Sequence, residues 1–362
     1  MKKIKILIFC FLCSIASVAQ TVTIGGMTTT AISQSGNEKI PMSGPGKPAT
    51  TVLNLGQWAL GVRLIIVEYG SALNQAATIQ AAIDAAPVGS SLIFGGDASL
   101  SQIVKIETSI SITKRLHFFA FGGITLQTIS NIIILNFSGS AAGFSISGFR
   151  FLGNDTGAAQ SAMSAGVAGY TIDRCVAIDF NLAGFTLSGT TTSPYTKSII
   201  SNSRAESCPG VGFSVISEYV SLVNNDAPGC GTGFKIAAGN LTLTDNSSNF
   251  STTGITFDAA TNTGKSSIKG GNFNHCTNSI VVNAADNGLQ FIGVEAVTGA
   301  MNINVDEVRF AACHLAGTGN MNSKRVRFSD NVINVGGFVL SNKTSCTFSE
   351  NYDLSGAAWT GS

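Results

Sequence analysis

The sequence is short of charge. Asp, Glu, Lys and Arg make up 11% of its 362 residues, where ordinary globular chains carry roughly a quarter. Ser, Thr, Asn and Gly must therefore coat the surface instead. With 21 basic against 20 acidic residues there is no positive excess, so no nucleic-acid footprint is expected, and no charge block suggests a disordered tail. Beyond the N-terminus no run of about 20 apolar residues occurs, and no helical membrane span is expected there. Three histidines leave few general bases, and five tyrosines and two tryptophans leave few of the rings that most often stack on sugars. What is plentiful is apolar and small: 44% hydrophobic residues and 41 glycines. That composition argues against intrinsic disorder and for an uncharged, strand-rich protein.

Residues 1–19 read as a signal peptide. Lys2, Lys3 and Lys5 form a basic start, Ile6 to Ile15 is apolar, and Ser17-Val18-Ala19 is a small-x-small cleavage site. The apolar stretch is short for an anchor, so the mature chain is expected to be exported. Loss of the three lysines takes the formal net charge from +1 to −2. A leader rich in Gly, Pro and Thr follows over residues 20–61, and the body occupies 62–362. Six cysteines remain in the body: Cys175, Cys208, Cys230, Cys276, Cys313 and Cys346. Their spacing matches no CxxC metal pattern, and no zinc site is expected.

From about residue 149 to 354, short strand-like pieces recur every 18–27 residues, many of them followed by Asn. The position after each strand is taken as Asn154, Cys175, Asn202, Asn225, Asn246, Asn272, Gly293, Cys313, Asn331 and Asn351. Apolar pairs precede most of them, including Tyr170/Ile172, Val220/Leu222, Leu241/Leu243, Val308/Phe310 and Val326/Phe328. Polar residues lie between the members of each pair, which is period-two patterning kept in phase. The rungs near Asn272 and Gly293 fit this phase poorly. A second strand often opens with Gly before an apolar residue, as at Gly184-Phe185, Gly212-Phe213 and Gly233-Phe234. No hairpin signature intervenes, so the expected fold is all-β, a single-stranded right-handed parallel β-helix. Stacked rungs about 4.8 Å apart would bring the repeated asparagines into a ladder of amide hydrogen bonds. The same spacing permits but does not require a Cys208–Cys230 disulfide, and reduced thiols are expected. A short helix over about 74–86, capped by Asn74 and stopped by Pro87, would cover the first open rung.

Three stretches carry a resemblance: "ATIQAAIDAAPVGSSLIFGGD", "ITKRLHFFAFGG" and the asparagine-laddered rungs. Over residues 62–354 the chain resembles the pectate-lyase-like superfamily of right-handed parallel β-helices. That resemblance implies a secreted polysaccharide lyase or hydrolase, or a phage tail spike that binds or cleaves surface glycans. Residues 28–58, with "SGNEKIPMSGPGKPATTVLNLGQW", are similar to a short module that precedes tail-fibre and tail-spike bodies. A virion tail and a homotrimer enter as further expectations from the tail-spike likeness.

Catalytic signatures are scarce. Hydrolysis needs two carboxyl groups about 5 or 6.5–9.5 Å apart. The Asn-Thr-Asp, Asp-Asp and Gly-His-Gly motifs of the superfamily's hydrolases are missing, and His117, His275 and His314 are read as structural. Asp330 and Glu350 each stand one place before the ladder on neighbouring rungs, so they should stack within catalytic distance. Asp226 and Asp245 flank the ladder from opposite sides, where Asn224 or Asn246 could help them hold calcium; otherwise no cofactor is expected. Arg309 and Arg327 should stack outward, a pair able to grip a uronate or sialate carboxylate, with Lys324 and Arg325 nearby. These residues leave three functions open: glycan recognition of tail-spike or adhesin type, polysaccharide cleavage, and a purely structural surface role. Recognition accounts best for the uncharged surface and the missing catalytic motifs, with polysaccharide as the partner.

Overall fold

The computed structural model describes residues 64–67, 74–95, 103–121, 123–154, 159–189, 196–258, 266–283, 288–305, 307–322, 325–334, 338–340 and 346–359. The expected signal peptide and leader lie outside them. Within the described residues the chain winds into a parallel β-helix of three faces. The first face stacks thirteen strands, from Leu64–Val67 to Thr347–Ser349. The third stacks eleven, from Ile110–Lys114 to Phe338–Leu340. The second is narrower, with five strands ending at Arg204–Glu206 and five beginning at Glu295–Ala296. Single bridging residues Asp226, Ser247 and Asn272 connect those two groups.

The alternation read from the sequence belongs to the first face. Ile172, Ile200, Leu222, Leu243 and Ile268 stand in register and are buried, while Thr171, Ser221, Thr242 and Ser267 occupy the intervening places. From Ser145–Ser147 onward each first-face strand is followed by a left-handed residue, among them Arg174, Asn202, Asn224, Asp245, Asp330 and Glu350, with φ between 50° and 57°. The next residue turns into the coil and forms the ladder. Asn225 Nδ2 donates to Asn246 Oδ1 at 2.9 Å and to the Ile200 carbonyl at 3.1 Å. Asn331 Nδ2 donates likewise to Asn351 Oδ1 at 2.8 Å and to the Phe310 carbonyl at 3.1 Å. The backbone N–H groups of Asn225 and Asn331 donate to those same amide oxygens, and the N–H groups of Ser203 and Cys313, one rung earlier, donate to Asn225 Oδ1 and Asn331 Oδ1. Buried polar groups at the corner are thereby paired without water.

Four of the expected ladder positions move. Asn154 lies beyond the second-face strand Arg150–Leu152, and Phe149 holds the ladder place of that rung. Asn202 and Gly293 are left-handed corner residues, which puts Ser203 and Val294 inside. Asn272 belongs to the second face, after the corner glycines Gly270 and Gly271. Two of the four share a physical reason: Asn and Gly tolerate the left-handed conformation, so Asn202 and Gly293 fit the corner as well as the ladder. Asn154 and Asn272 instead lie on or just beyond the second face, past the ladder place.

The glycines before the buried phenylalanines are steric. A Cβ on Gly212 would meet the Gly233 carbonyl oxygen at 2.7 Å and the Ala227 Cβ at 3.0 Å. An added element lies at each end of the coil. Helix α1 (Ala76–Ala85) buries Ile79 and Ile83, and Asn74 Oδ1 accepts from the Ala76 N–H at 3.0 Å. Its Gln80 amide pairs with the backbone of the open third-face edge, donating to Ser111 O at 3.0 Å and accepting from Ser111 N–H at 2.8 Å. That replaces the strand partner the edge lacks. At the other end Ala358–Trp359 folds back antiparallel onto Asn351–Asp353.

Candidate functional site

The outer surface of the third face carries an open groove of about 480 Å³. Its lining follows from register. Thr232, Thr253 and Asn278 form one column, and Thr256, Val281, Asn302 and Asn320 form the next. The far edge consists of the residues just past the strands, Asp258, Asn283 and Asn304, each bonding its N–H to a carbonyl of the preceding rung. The lining is thus amides and hydroxyls stepped at rung spacing, with one carboxylate among them. Asn302 Nδ2 reaches Asn278 Oδ1 at 3.4 Å, a long bond that leaves donors and acceptors to offer.

Asp258 anchors one end of the groove. Its carboxylate accepts from Thr256 Oγ1 at 2.9 Å and Asn283 Nδ2 at 3.1 Å, and it faces Lys235 Nζ at 3.5 Å. Burial acts to raise the carboxyl. The two hydrogen bonds and the Lys235 ammonium outweigh it and hold Asp258 below the ordinary aspartate value. Asp258 is therefore an ionised, fully partnered group at neutral pH, suited to orienting Asn283 rather than to donating a proton.

The residues singled out in the sequence lie elsewhere. Arg309 and Arg327 are register partners on the outside of the first face, both exposed. Neither guanidinium has an ion-pair or hydrogen-bond partner among the described residues, whereas Arg325 beside them pairs with Glu307 at 2.7 Å. Asp330 and Glu350 occupy adjacent corner places with φ of 57° and 54°, and the Asp330 N–H bonds the Ser349 carbonyl. Asp226 sits on the second face, 3.3 Å from Arg204 Nη1 and 2.8 Å from Ser247 Oγ. Asp245 is a corner residue with φ 52°, so the ladder separates it from Asp226. No group of three His, Cys, Asp or Glu set to hold a metal occurs among the described residues.

All six described cysteines are free, five of them buried. Burial pushes the Cys175 thiol up to about 12, which marks it as an apolar filler of the ladder corner. Cys230 and Cys276 Sγ lie 3.3 and 3.2 Å from the carbonyls of Ala205 and Ser248 on preceding rungs.

No protein-family model matches the sequence, and no curated protein does. Solved structures match in shape. The A-module of a mannuronan C-5 epimerase from Azotobacter vinelandii has a TM-score of 0.58 at 14% identity, over 77% of this chain and 90% of its own. The tailspike protein of an Acinetobacter phage scores 0.52 at 15% identity, over 84% of this chain and 63% of its own. The catalytic unit of an α-1,3-glucanase from Streptomyces thermodiastaticus scores 0.52 at 10% identity, over 89% and 71%. At such identities the likeness is one of fold, the right-handed parallel β-helix.

Proposed function

We propose that the protein recognises polysaccharide through the third-face groove, in the manner of a tail-spike or adhesin body. The observation that carries this reading is the groove's lining: Asn278, Asn283, Asn302, Asn304 and Asn320 with Thr232, Thr253 and Thr256. Amides and hydroxyls of this kind pair with sugar hydroxyls, and their repetition along the coil suits a polymer. The groove is open and polar, unlike the enclosed apolar pockets that take small molecules. Fold alone does not decide function; proteins of this fold named for mannuronan, for a phage tail and for α-1,3-glucan make extended polysaccharide the class to test first.

Two finer points belong to the same proposal. Arg309 and Arg327, with guanidinium groups on adjacent rungs and no ion-pair partner among the described residues, would add a carboxylate contact when the polymer is acidic. Export through residues 1–19, display on a cell surface or a virion tail, and assembly as a homotrimer complete the expected setting; sedimentation tests the last. Among the described residues that line the groove one is a carboxylate, so retention without cleavage is the expected behaviour.

The test is a panel of α-1,3-glucan, mannuronan, polygalacturonate and xylan, with calcium and with chelator. Retention of the protein by at least one polymer, unchanged by chelator and weakened by Asn302→Ala with Asn304→Ala, supports the reading. New reducing ends or unsaturated uronates would make the protein an enzyme. They would return attention to Asp226, Asp245, Asp330 and Glu350.

A further inference from the structure

The corner between the second and third faces turns, rung by rung, through left-handed residues Asp179, Ser207, Gly229, Phe250 and His275. Phe250 is out of place there. A bulky L-residue at φ 60° costs roughly 1–2 kcal/mol, and glycine adopts that conformation freely. Core burial does not repay the cost, because Phe250 is 72% exposed. Its ring lies flat on the His275 imidazole, with centroids 4.9 Å apart and planes 6° from parallel. On the rung before, the corner residue is Gly229, which has no side chain to cover the other face of the ring. Phe250 precedes Thr253 by three residues and His275 precedes Asn278 by three, and both of those line the groove. The stacked rings therefore stand at its rim, across the floor from Asp258 and Asn283.

We infer that the Phe250–His275 stack is a pyranose platform at the rim of the groove; this rests on the polysaccharide reading above. A pyranose ring has an apolar C–H face and a polar edge. The bare face of Phe250 takes the C–H face, and Thr253 and Asn278 take hydroxyls at the edge. Neither contact needs a charge on the sugar, so the platform selects ring shape and serves neutral polymers as well as acidic ones. An exposed ring held at a strained backbone position, with one side supported and the other open, is costly for stability and useful for binding.

The experiment compares wild type with Phe250→Gly on the same four polymers, recording affinity and thermal midpoint together. Glycine adopts φ 60° without strain, so the variant is expected to melt at or above the wild-type temperature. Its affinity for the retained polymer is expected to fall about tenfold, the loss typical of an aromatic anchor. Phe250→Tyr, which keeps the flat ring, is expected to bind like wild type. Equal affinity of Phe250→Gly and wild type overturns the platform and leaves the groove standing, since Asn302→Ala with Asn304→Ala tests the groove separately. A lower melting temperature with unchanged affinity also overturns it, by making the ring structural. Failure of all four polymers to retain the wild-type protein overturns both readings.

Discussion

The middle rungs and the last rungs fill the coil from opposite sides. In the middle, Phe185, Phe213 and Phe234 stack inward from the third face with centroids 5.0 and 5.1 Å apart, and the first face answers with Ile200 and Leu222. In the last rungs Phe291, Phe310, Phe328 and Phe348 stack from the first face at 4.9, 5.2 and 5.5 Å. There the third face thins to Met301 and then Gly319. The columns change over where Phe257 meets Phe291 edge-on at 6.1 Å and 84°. The ladder lapses over the same stretch, at Gly271 and Val294, and a register shift separates Asn278 from Ile280. Rungs are thus held to a total inward volume rather than to a repeated sequence, as close packing requires. The groove lies outside this changeover.

Several substitutions would break or sharpen that contrast. The largest effect is expected from removing a ring at the centre of either stack. Phe213→Ala and Phe310→Ala should each cost about 3–5 kcal/mol, read as a shift in the urea midpoint. A cost below about 1 kcal/mol at one of them would mean that the two stacks are not equivalent. Next comes the ladder. Asn225→Ala strips Ser203 of its acceptor and leaves the Ile200 carbonyl and the Asn246 amide oxygen each short of a donor, so about 2–3 kcal/mol should be lost. Val294→Ala, at a rung without ladder bonds, should cost only the lost methyl groups, about 1–2 kcal/mol.

Volume exchange is a subtler probe. Leu222→Phe overpacks a middle rung and should cost about 1–3 kcal/mol. Adding Phe234→Leu on the same turn should recover most of that if volume is shared across the coil. Additive losses in the double variant would show that it is not. The smallest effect concerns acid. Because Asp258 is held below the ordinary aspartate value of 3.8, its contribution is complete above that pH and fades as pH falls through its lowered native value. Partial exposure keeps the amount under about 1 kcal/mol, so Asp258→Asn should flatten the acid limb of a pH–stability curve only slightly.

The first face was the legible part of the fold. Val220/Leu222 and Val326/Phe328 alternate just before a corner, and from Ser145–Ser147 onward the corner follows each strand at a constant offset. One reading frame therefore serves most rungs and fails where Asn154, Asn202, Asn272 and Gly293 are taken as ladder places. The third face has no such frame. From ladder to third-face strand the chain takes eight residues between Ser203 and Val211 but five between Cys313 and Thr318, because the second face shortens. A slip of one residue exchanges inward and outward places. Without that register Asn302 and Asn320 could not be told from inward neighbours such as Met301, and the groove went unread. Its trace in the sequence was the pair Asn302-Ile303-Asn304 and Asn320-Met321-Asn322. The stacking of Arg309 and Arg327 could be read because both lie on the legible face.

Hydroxyl-radical footprinting, with and without a polymer that retains the protein, tests the central claim most directly. The account predicts protection at Val281 on the groove floor and at Phe250 and His275 on its rim. Val223 on the first face and Tyr352 on the second should be unchanged. Protection confined to Val223 or Tyr352, with Val281 reacting as freely as before, would contradict it.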